Sequence, residues 1–317
     1  MNDGLPVIPP TEARVKRMMS GFSLAPEHVL AELPPKAGVA TVEKIAVNAV
    51  MAGCRPEYFP VLIAAVEAMA QPQFNLTGIQ TTTNPVAPLA LINGPVRHKI
   101  GVNCGAGALG PGWRANATIG RAIRLILINI GGAAPGEVDK AILGMPGKYS
   151  LCLGELEEEN PWEPFHVEQG YARDQSTVTL ISVQGTQSCA ASYLEPESIL
   201  KMLANAMTAF GANSYTKGNG NPVVILPPAH ARIFAEAGWD KQRIKRELFE
   251  RTMFPRAEMP PRLLDTSSRQ QIRDGKICIC RRPEDIVVIV AGGPELNHVA
   301  FLASFGNDLA ISLVRYC

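Results

Sequence analysis

No single sign of charge dominates this 317-residue chain: 30 lysines and arginines stand against 29 acids. That balance leaves no electrostatic footprint for nucleic acid or for an anionic membrane. No run of 18 apolar residues exists that could span a bilayer, and the opening MNDGLPVIPPTEARVKRMM has no apolar core of a signal peptide. The expectation is a soluble cytoplasmic protein. Aromatics are scarce at 6%, while 46% of the residues are hydrophobic, a combination that points to subunit association in a homo-oligomer. The seven cysteines are an odd number, which argues against a disulfide framework. Cys152, Cys189 and Cys317 have no activating context and read as small buried hydrophobes. Cys278 and Cys280, in KICICRR, fall on one face of a strand, and two sulfurs are too few for a zinc site. A Gly-Lys-Ser/Thr phosphate loop and a G-x-S-x-G elbow are both missing.

What is abundant is glycine in one place. Seven glycines lie between Val102 and Gly132, and Gly105, Gly107, Gly110 and Gly112 form a loop behind Cys104. Glycine is costly to order, so such a loop belongs where backbone turns tightly or approaches a ligand. The string Gly105-x-Gly107-x-x-Gly110 matches the dinucleotide fingerprint in letters only. No strong strand precedes it, and Asn129 and Ile130 stand where a ribose-binding acid is needed.

A helix from Arg114 to Ile130 follows, apolar nearly all round, with Arg114, Arg121 and Arg124 on one side. Buried guanidiniums need partners, either a ligand's anionic group or internal acids such as Glu67 and Glu137. The helix start also favours an anion. Gly105, Gly107, Gly110, Trp113, Arg114 and Asn116 are therefore the candidate ligand-binding residues, and the same positive potential is expected to lower the pKa of Cys104. Cys54, just before Arg55, has a weaker version of the same context.

Along the chain, residues 1–40 read as an N-terminal arm with short helices at Thr11–Ser20 and Pro26–Leu33. Residues 41–170 read as a first α/β half: helices Val42–Ala52 and Pro56–Met69, strands Gly78–Thr83 and Leu89–Ile92, and the glycine loop. Residues 171–317 read as a second half: strand Thr177–Val183, helix Pro196–Phe210, strand Val223–Leu226, a helix through Ala237, the charged helix Asp240–Phe254, a proline- and arginine-rich connector Pro255–Arg273 that reads as a solvated segment, and the buried strand Asp285–Ala291. LALINGPVRHKI and VVILPPAHARIF share strand, turn and helix start and set Arg97 and His230 at corresponding places. IQTTTN near Ile79 and VQGTQS near Val183 each put a glutamine and threonines at a strand end. The fold expected is α/β, mixed sheets with helices on both faces, two pseudo-repeated halves around a cleft, and strand ends such as Thr82 and Gln184 facing the ligand.

The acidic run GELEEENPWEPFH carries Glu155, Glu157, Glu158, Glu159, Glu163 and His166 within twelve positions. Such a run reads as a solvated helix start or, with its histidine, as acid/base groups or metal ligands, Glu158 and His166 first among them. His98, His230 and His298 adjoin proline turns at strand ends, where α/β proteins place ligand groups; His28 lies in the arm and is inert.

These blocks together carry a resemblance. NAVMAGCRPEYFPVLIAAVEAM, the NGP turn, GALGPGWRANATIGRAIRLILINIGGAAPGEVDK, PGKYSLCLGE with EEENPWEPFH, and VIVAGG with a following histidine and ASFG resemble bacterial proteins encoded with, or fused to, UGSC-motif thiol or selenocysteine proteins. The resemblance covers roughly residues 5 to 305. The UGSC partner is similar to the selenoprotein B subunits of glycine and betaine reductases, which implies thiol or selenol chemistry on a small substrate. No UGSC motif occurs in this chain, so a group of that kind would come from a separate polypeptide. Three functions are open at this point. The first is an enzyme that reductively or lytically cleaves an anionic or amide-bearing metabolite, with Cys104 or a partner thiol attacking and Glu158, His166, His230 or His298 moving protons. The second is a metal-dependent hydrolase or lyase using the acidic run and the histidines. The third is a non-catalytic scaffold for the UGSC-type protein. The sequence leaves the cofactor open.

Overall fold

A computed structural model describes residues 3–192, 195–209, 212, 215, 220–265 and 271–315. The expected role of Cys317 lies outside the described residues. The strands in chain order are β1 (Val29–Leu33), β2 (Gly38–Thr41), β3 (Ala87–Asn93), β4 (Cys152–Gly154), β5 (Thr177–Val183), β6 (Gln187–Ala190), β7 (Val223–Leu226), β8 (Phe254–Pro255), β9 (Ile272–Arg273), β10 (Lys276–Ile277), β11 (Val287–Val290), β12 (His298–Leu302) and β13 (Ala310–Leu313). The fold is α/β. Two four-stranded mixed sheets dominate it, in the orders β13-β5-β3-β4 and β11-β7-β12-β6. Each contains one parallel pair, β3 with β4 and β7 with β11, and antiparallel neighbours on the other side.

The layering follows from the alternation of side chains along the strands. Leu89 and Leu91 of β3, Ile181 and Val183 of β5, Val223 and Ile225 of β7, and Val287 and Ile289 of β11 belong to one apolar cluster, which fills the space between the two sheets. Ala90, Ile92, Val178 and Leu180 instead pack with helices Glu12–Met19, Val42–Ala52, Phe59–Met69 and Arg114–Asn129. Val224, Leu226, Val288 and Val290 pack with helices Pro196–Met207, Pro228–Glu236 and Lys241–Arg251. The order is helices, sheet, sheet, helices, so each sheet carries helices on its outer face and the other sheet on its inner face. The space between the sheets is packed core.

β3 and β7 are the strands of the LALINGPVRHKI and VVILPPAHARIF blocks, each followed by a helix, Val96–Ile100 or Pro228–Glu236. The second expected pairing does not appear, because Gln80 is in helix Leu76–Thr81 while Gln184 directly follows β5. The sheets also mix the expected halves: β5 and the last strand, β13, complete the sheet of β3 and β4, and a bridge from Val183 to Ser304 links the two sheets.

Two local expectations are corrected. The segment expected as helix Pro26–Leu33 contains β1, because the turn through Pro34–Ala37 brings β2 back against it as a hairpin. Gly78–Thr83, expected as a strand, is largely helical, since Asn75 caps that helix by accepting a hydrogen bond from Gly78 N–H. The first forty residues are less peripheral than an arm: Val15, Met18, Leu33 and Ala40 are buried in the first core cluster.

Candidate functional site

Asn93 ends β3 and Gly154 ends β4, and the segments that leave these two strand ends build a dense array of charge. Asn93 is fully buried, and its Nδ2 donates to Glu155 Oε2 at 2.7 Å and Glu157 Oε1 at 3.0 Å. Glu157 also accepts from Gly94 N–H at 2.7 Å. Glu155, likewise fully buried, accepts from Asn160 Nδ2 and Phe165 N–H and lies 3.7 Å from Lys241 Nζ. The acidic run is thus only partly a solvated helix start. Its first acids point inward, and cations and amides stabilise them there.

Arg97 is the centre of this array. It is 2% exposed, donates Nη1 to Glu155 O at 2.6 Å, forms a two-pronged pair with Glu158 at 2.9 and 3.2 Å, and lies 3.0 Å from Glu157 Oε2. His98 Nε2 meets Glu158 Oε1 at 2.8 Å from the solvent side. Burial opposes ionisation of Glu158, but the hydrogen bonds from Arg97 and His98 prevail and hold its carboxyl down at about 2. A carboxyl that acidic is a fixed anion at neutral pH, which corrects the expected proton-moving role. His166 is fully buried with Nδ1 3.7 Å from Glu157 Oε1, and neither ring nitrogen has a hydrogen bond among the described residues.

Cys104 sits on the other side of Arg97, whose Nη1 donates to its Sγ at 3.8 Å. The residue is 7% exposed. Burial pushes its pKa up, and neither the Arg97 hydrogen bond nor the Arg97 charge offsets this. The expected lowering by the Arg114 helix is therefore corrected. Arg114 turns away, donating Nε and Nη2 to Gly53 O at 3.0 and 2.8 Å. Burial likewise pushes Cys54 up to about 12 despite its bond to Thr118 O and the nearby Arg114. Gly154 explains how Cys104 gets so close to β4: a Cβ at that position would overlap Sγ and press on Val102 and Arg97.

From Cys104 the glycine loop joins the two sheets. Gly292 N–H donates to Cys104 O at 2.9 Å, Gly105 bridges Gly292, and Leu156 N–H donates to Val290 O at 2.7 Å. The loop therefore stands at the C-terminal ends of both parallel pairs, the position where open α/β sheets accept ligands. Gly107 and Gly112 have positive φ of 70° and 111°, and a Cβ on Gly105, Gly107 or Gly112 would meet nothing closer than Asn103 at 3.7 Å. The loop is exposed except at half-buried Gly105 and buried Ala108, with Gly110 and Trp113 on its outer side. Asn116 anchors it: its Oδ1 accepts from Asn103 N–H at 2.8 Å, and Nδ2 donates to Asn103 O, Cys152 O and Ala108 O.

Ala108 and Leu109 line two cavities. One, of about 170 Å³, opens at the rim between the sheets against Leu153, Ile225, Gly292 and exposed His298. The other, of about 230 Å³, lies beneath the loop against Asn116, Tyr149 and Cys152.

The remaining expected site residues lie elsewhere. His230 is fully buried with Nε2 2.9 Å from Ala191 O, and burial lowers its pKa, so it is a neutral structural group. Thr82 closes a local turn by accepting from Asn84, and Gln184 donates to Ser304 O at 2.5 Å inside the fold. Arg121 pairs with Asp3 and Arg124 with Asp139, in place of the expected Glu67 or Glu137.

Sequence reasoning missed Asn93, Arg97, Lys241 and Lys245 as members of the array. Arg97 had a readable signal, the N-G-P-x-R-H string directly after an apolar strand. Lys241 and Lys245, four apart on one helix face, are 5% and 1% exposed and both pair with Glu168. Among the described residues no three His, Cys, Asp or Glu side chains converge as a metal site, because the acids of the run face Arg97, His98 and Lys241. No helix among the described residues is long and apolar enough to cross a membrane. No family model matches this chain, and no similar curated protein or solved structure was found for it.

Proposed function

We propose that this chain is a cytoplasmic enzyme acting on a small anionic or amide-bearing metabolite that lies across the glycine loop, with Cys104 as its thiol. The observation that carries the reading is the hydrogen bond from buried Arg97 to Cys104 Sγ. At rest the thiol is protonated, since burial raises its pKa. As a proton leaves and charge develops on sulfur, the guanidinium N–H stabilises it without moving, because Glu157, Glu158 and Glu155 O already fix Arg97 in place. The preorganised donor thus acts on the reacting state more than on the resting one.

The rim cavity supplies room beside the loop, and His298 at its mouth is the group suited to exchange protons with solvent. Exposed Arg114 has a carbonyl for a partner and no carboxylate within ion-pair distance among the described residues, so it can attract an anionic substrate group. The reaction class that fits is reductive or lytic cleavage, with electrons for the reductive version coming from an external thiol. The resemblance to proteins encoded with UGSC-motif partners supports that source.

The test is turnover. Purified chain is screened against a panel of small carboxylates and amides, with and without dithiothreitol as thiol donor. Turnover abolished in Cys104→Ser and reduced at least tenfold in Arg97→Lys is the expected result. Turnover that persists in Cys104→Ser overturns the assignment.

A second reading, a scaffold that docks a thiol protein, draws on one feature. Ile142 and Leu143 are 80% and 95% exposed, an adjacent apolar pair on the surface.

A further inference from the structure

The largest of the cavities described lies away from Cys104. It has a volume of about 600 Å³ and opens between the C-terminal part of helix Arg114–Asn129 and the loop through Asp139 and Lys148. Its base holds two cations and one anion. Arg124 is 7% exposed and donates Nε to Lys148 O at 2.7 Å; Lys148 Nζ is 2.6 Å from Asp139 Oδ2, and Arg124 Nη1 is 3.8 Å from the same oxygen. Asp3, also in the wall, is already neutralised by Arg121. One positive charge is therefore left over in a largely dehydrated place, and the outer nitrogens of Arg124 make no hydrogen bond among the described residues. Burial lowers the pKa of both Arg124 and Lys148 in spite of Asp139, which is the mark of cations short of a counter-charge. Above them the walls are apolar: Ile128, Leu143, Met145, Pro146 and Tyr149.

We infer that this cavity binds a small organic carboxylate, its charged end between Arg124 and Lys148 and its apolar body against Leu143, Met145 and Tyr149. A planar guanidinium whose outer nitrogens donate no hydrogen bond among the described residues, and meet Asp139 only at 3.8 Å, suits a carboxylate's paired oxygens. Asp139 sets the limit: it consumes one of the two charges, so a monoanion balances the site and a dianion over-fills it. Leu143, almost wholly exposed in this structure, gains a reason for its position, since a bound acyl or aryl group gives it something to cover. The assignment stands independently of Cys104, which does not line this cavity.

Isothermal titration of the purified chain with butyrate, hexanoate and benzoate tests it, with hexanol and hexylamine as uncharged and cationic controls and inorganic phosphate as a dianion control. Hexanoate and benzoate are expected to bind at least tenfold more tightly than hexanol, hexylamine or phosphate. Lys148→Gln is expected to weaken hexanoate at least tenfold, while Cys104→Ser leaves it unchanged. Should Lys148→Gln fail to fold, Leu143→Glu tests the same claim from an exposed position, and a fivefold or greater loss of hexanoate binding is expected. The inference is overturned by hexanoate binding no tighter than hexanol or hexylamine, by no carboxylate binding at millimolar concentration, or by unchanged affinity in Lys148→Gln, or in Leu143→Glu if that variant is the one that folds.

Discussion

Gly154 lies directly against Cys104, so closely that a methyl group on its α-carbon would overlap the sulfur. The end of β4 and the root of the glycine loop are thereby packed backbone to thiol. Gly154→Ala is expected to destabilise the fold by about 1–3 kcal/mol, the usual cost of overpacking a filled interior. It is also expected to push Cys104 away from Arg97. Chemical denaturation measures the first effect; alkylation of Cys104 in the native variant, faster than in the parent chain, reports the second.

The buried state of Cys104 sets its reactivity. Iodoacetamide labelling followed by peptide mass spectrometry is expected to be slow at pH 7.5 and to accelerate only above the ordinary thiol range, since thiolate is the reacting species and burial raises the pKa. Arg97→Met removes a hydrogen-bond donor that stabilises the thiolate, and it is expected to slow labelling further at pH 9 so long as the variant stays folded. Rapid labelling of the native parent chain at pH 7 would contradict this.

Glu158 gives the fold a dependence on acid. Its pKa is near 2 when folded, below its ordinary 4.5, so the folded chain binds fewer protons than the unfolded one between those values. Its contribution is complete above pH 4.5 and disappears as the pH falls toward 2. Urea denaturation of the parent chain and Glu158→Gln is expected to show a stability difference at pH 6 that shrinks steadily below pH 4.5.

His230 works in the same direction in a higher window. Burial lowers its folded pKa below 6.5, so the unfolded chain takes up the proton first as the medium is acidified. Stability is expected to fall as the pH drops through 6.5. His230→Gln is expected to flatten that part of the profile, read as the midpoint of thermal unfolding at pH 7.5 and 5.5.

Asn116 ties the loop to β4 through four hydrogen bonds. Asn116→Ala takes the acceptor from Asn103 N–H and the side-chain donor from the Ala108 and Cys152 carbonyls, while Asn103 O keeps Gly154 N–H, a loss on the order of 1–3 kcal/mol. Hydrogen exchange is expected to quicken from Asn103 to Ala108 more than in β5. Uniform exchange across both would remove the anchoring role.

Most helices and inner strands could be read from local pattern. Val42–Ala52, Phe59–Met69 and Arg114–Asn129 follow from apolar residues at helical spacing, and β3, β5, β7 and β11 from continuous apolar runs that only a strand buried on both faces needs. β1 and the Leu76–Thr81 helix were hidden because each depends on a neighbour: β1 on its hairpin partner, the helix on the Asn75 cap. The glycine loop was visible as composition. Its partner Arg97 was marked only by the N-G-P-x-R-H string after an apolar strand, since one arginine in a five-residue helix has no periodic signature.

Taken alone, the order of residues determines the α/β class, the exposed glycine turn and the clustering of acids after β4, because these rest on local backbone freedom and on alternation of apolar side chains. Which acid meets which cation was decided only by tertiary structure. Glu158 and Arg97, Glu155 and Lys241, and Lys148 with Arg124 and Asp139 are separated along the chain by between 9 and 86 positions. Long-range pairing of this kind depends on how sheets and helices stack, and a desolvated charge is tolerated only where that stacking delivers its counter-charge.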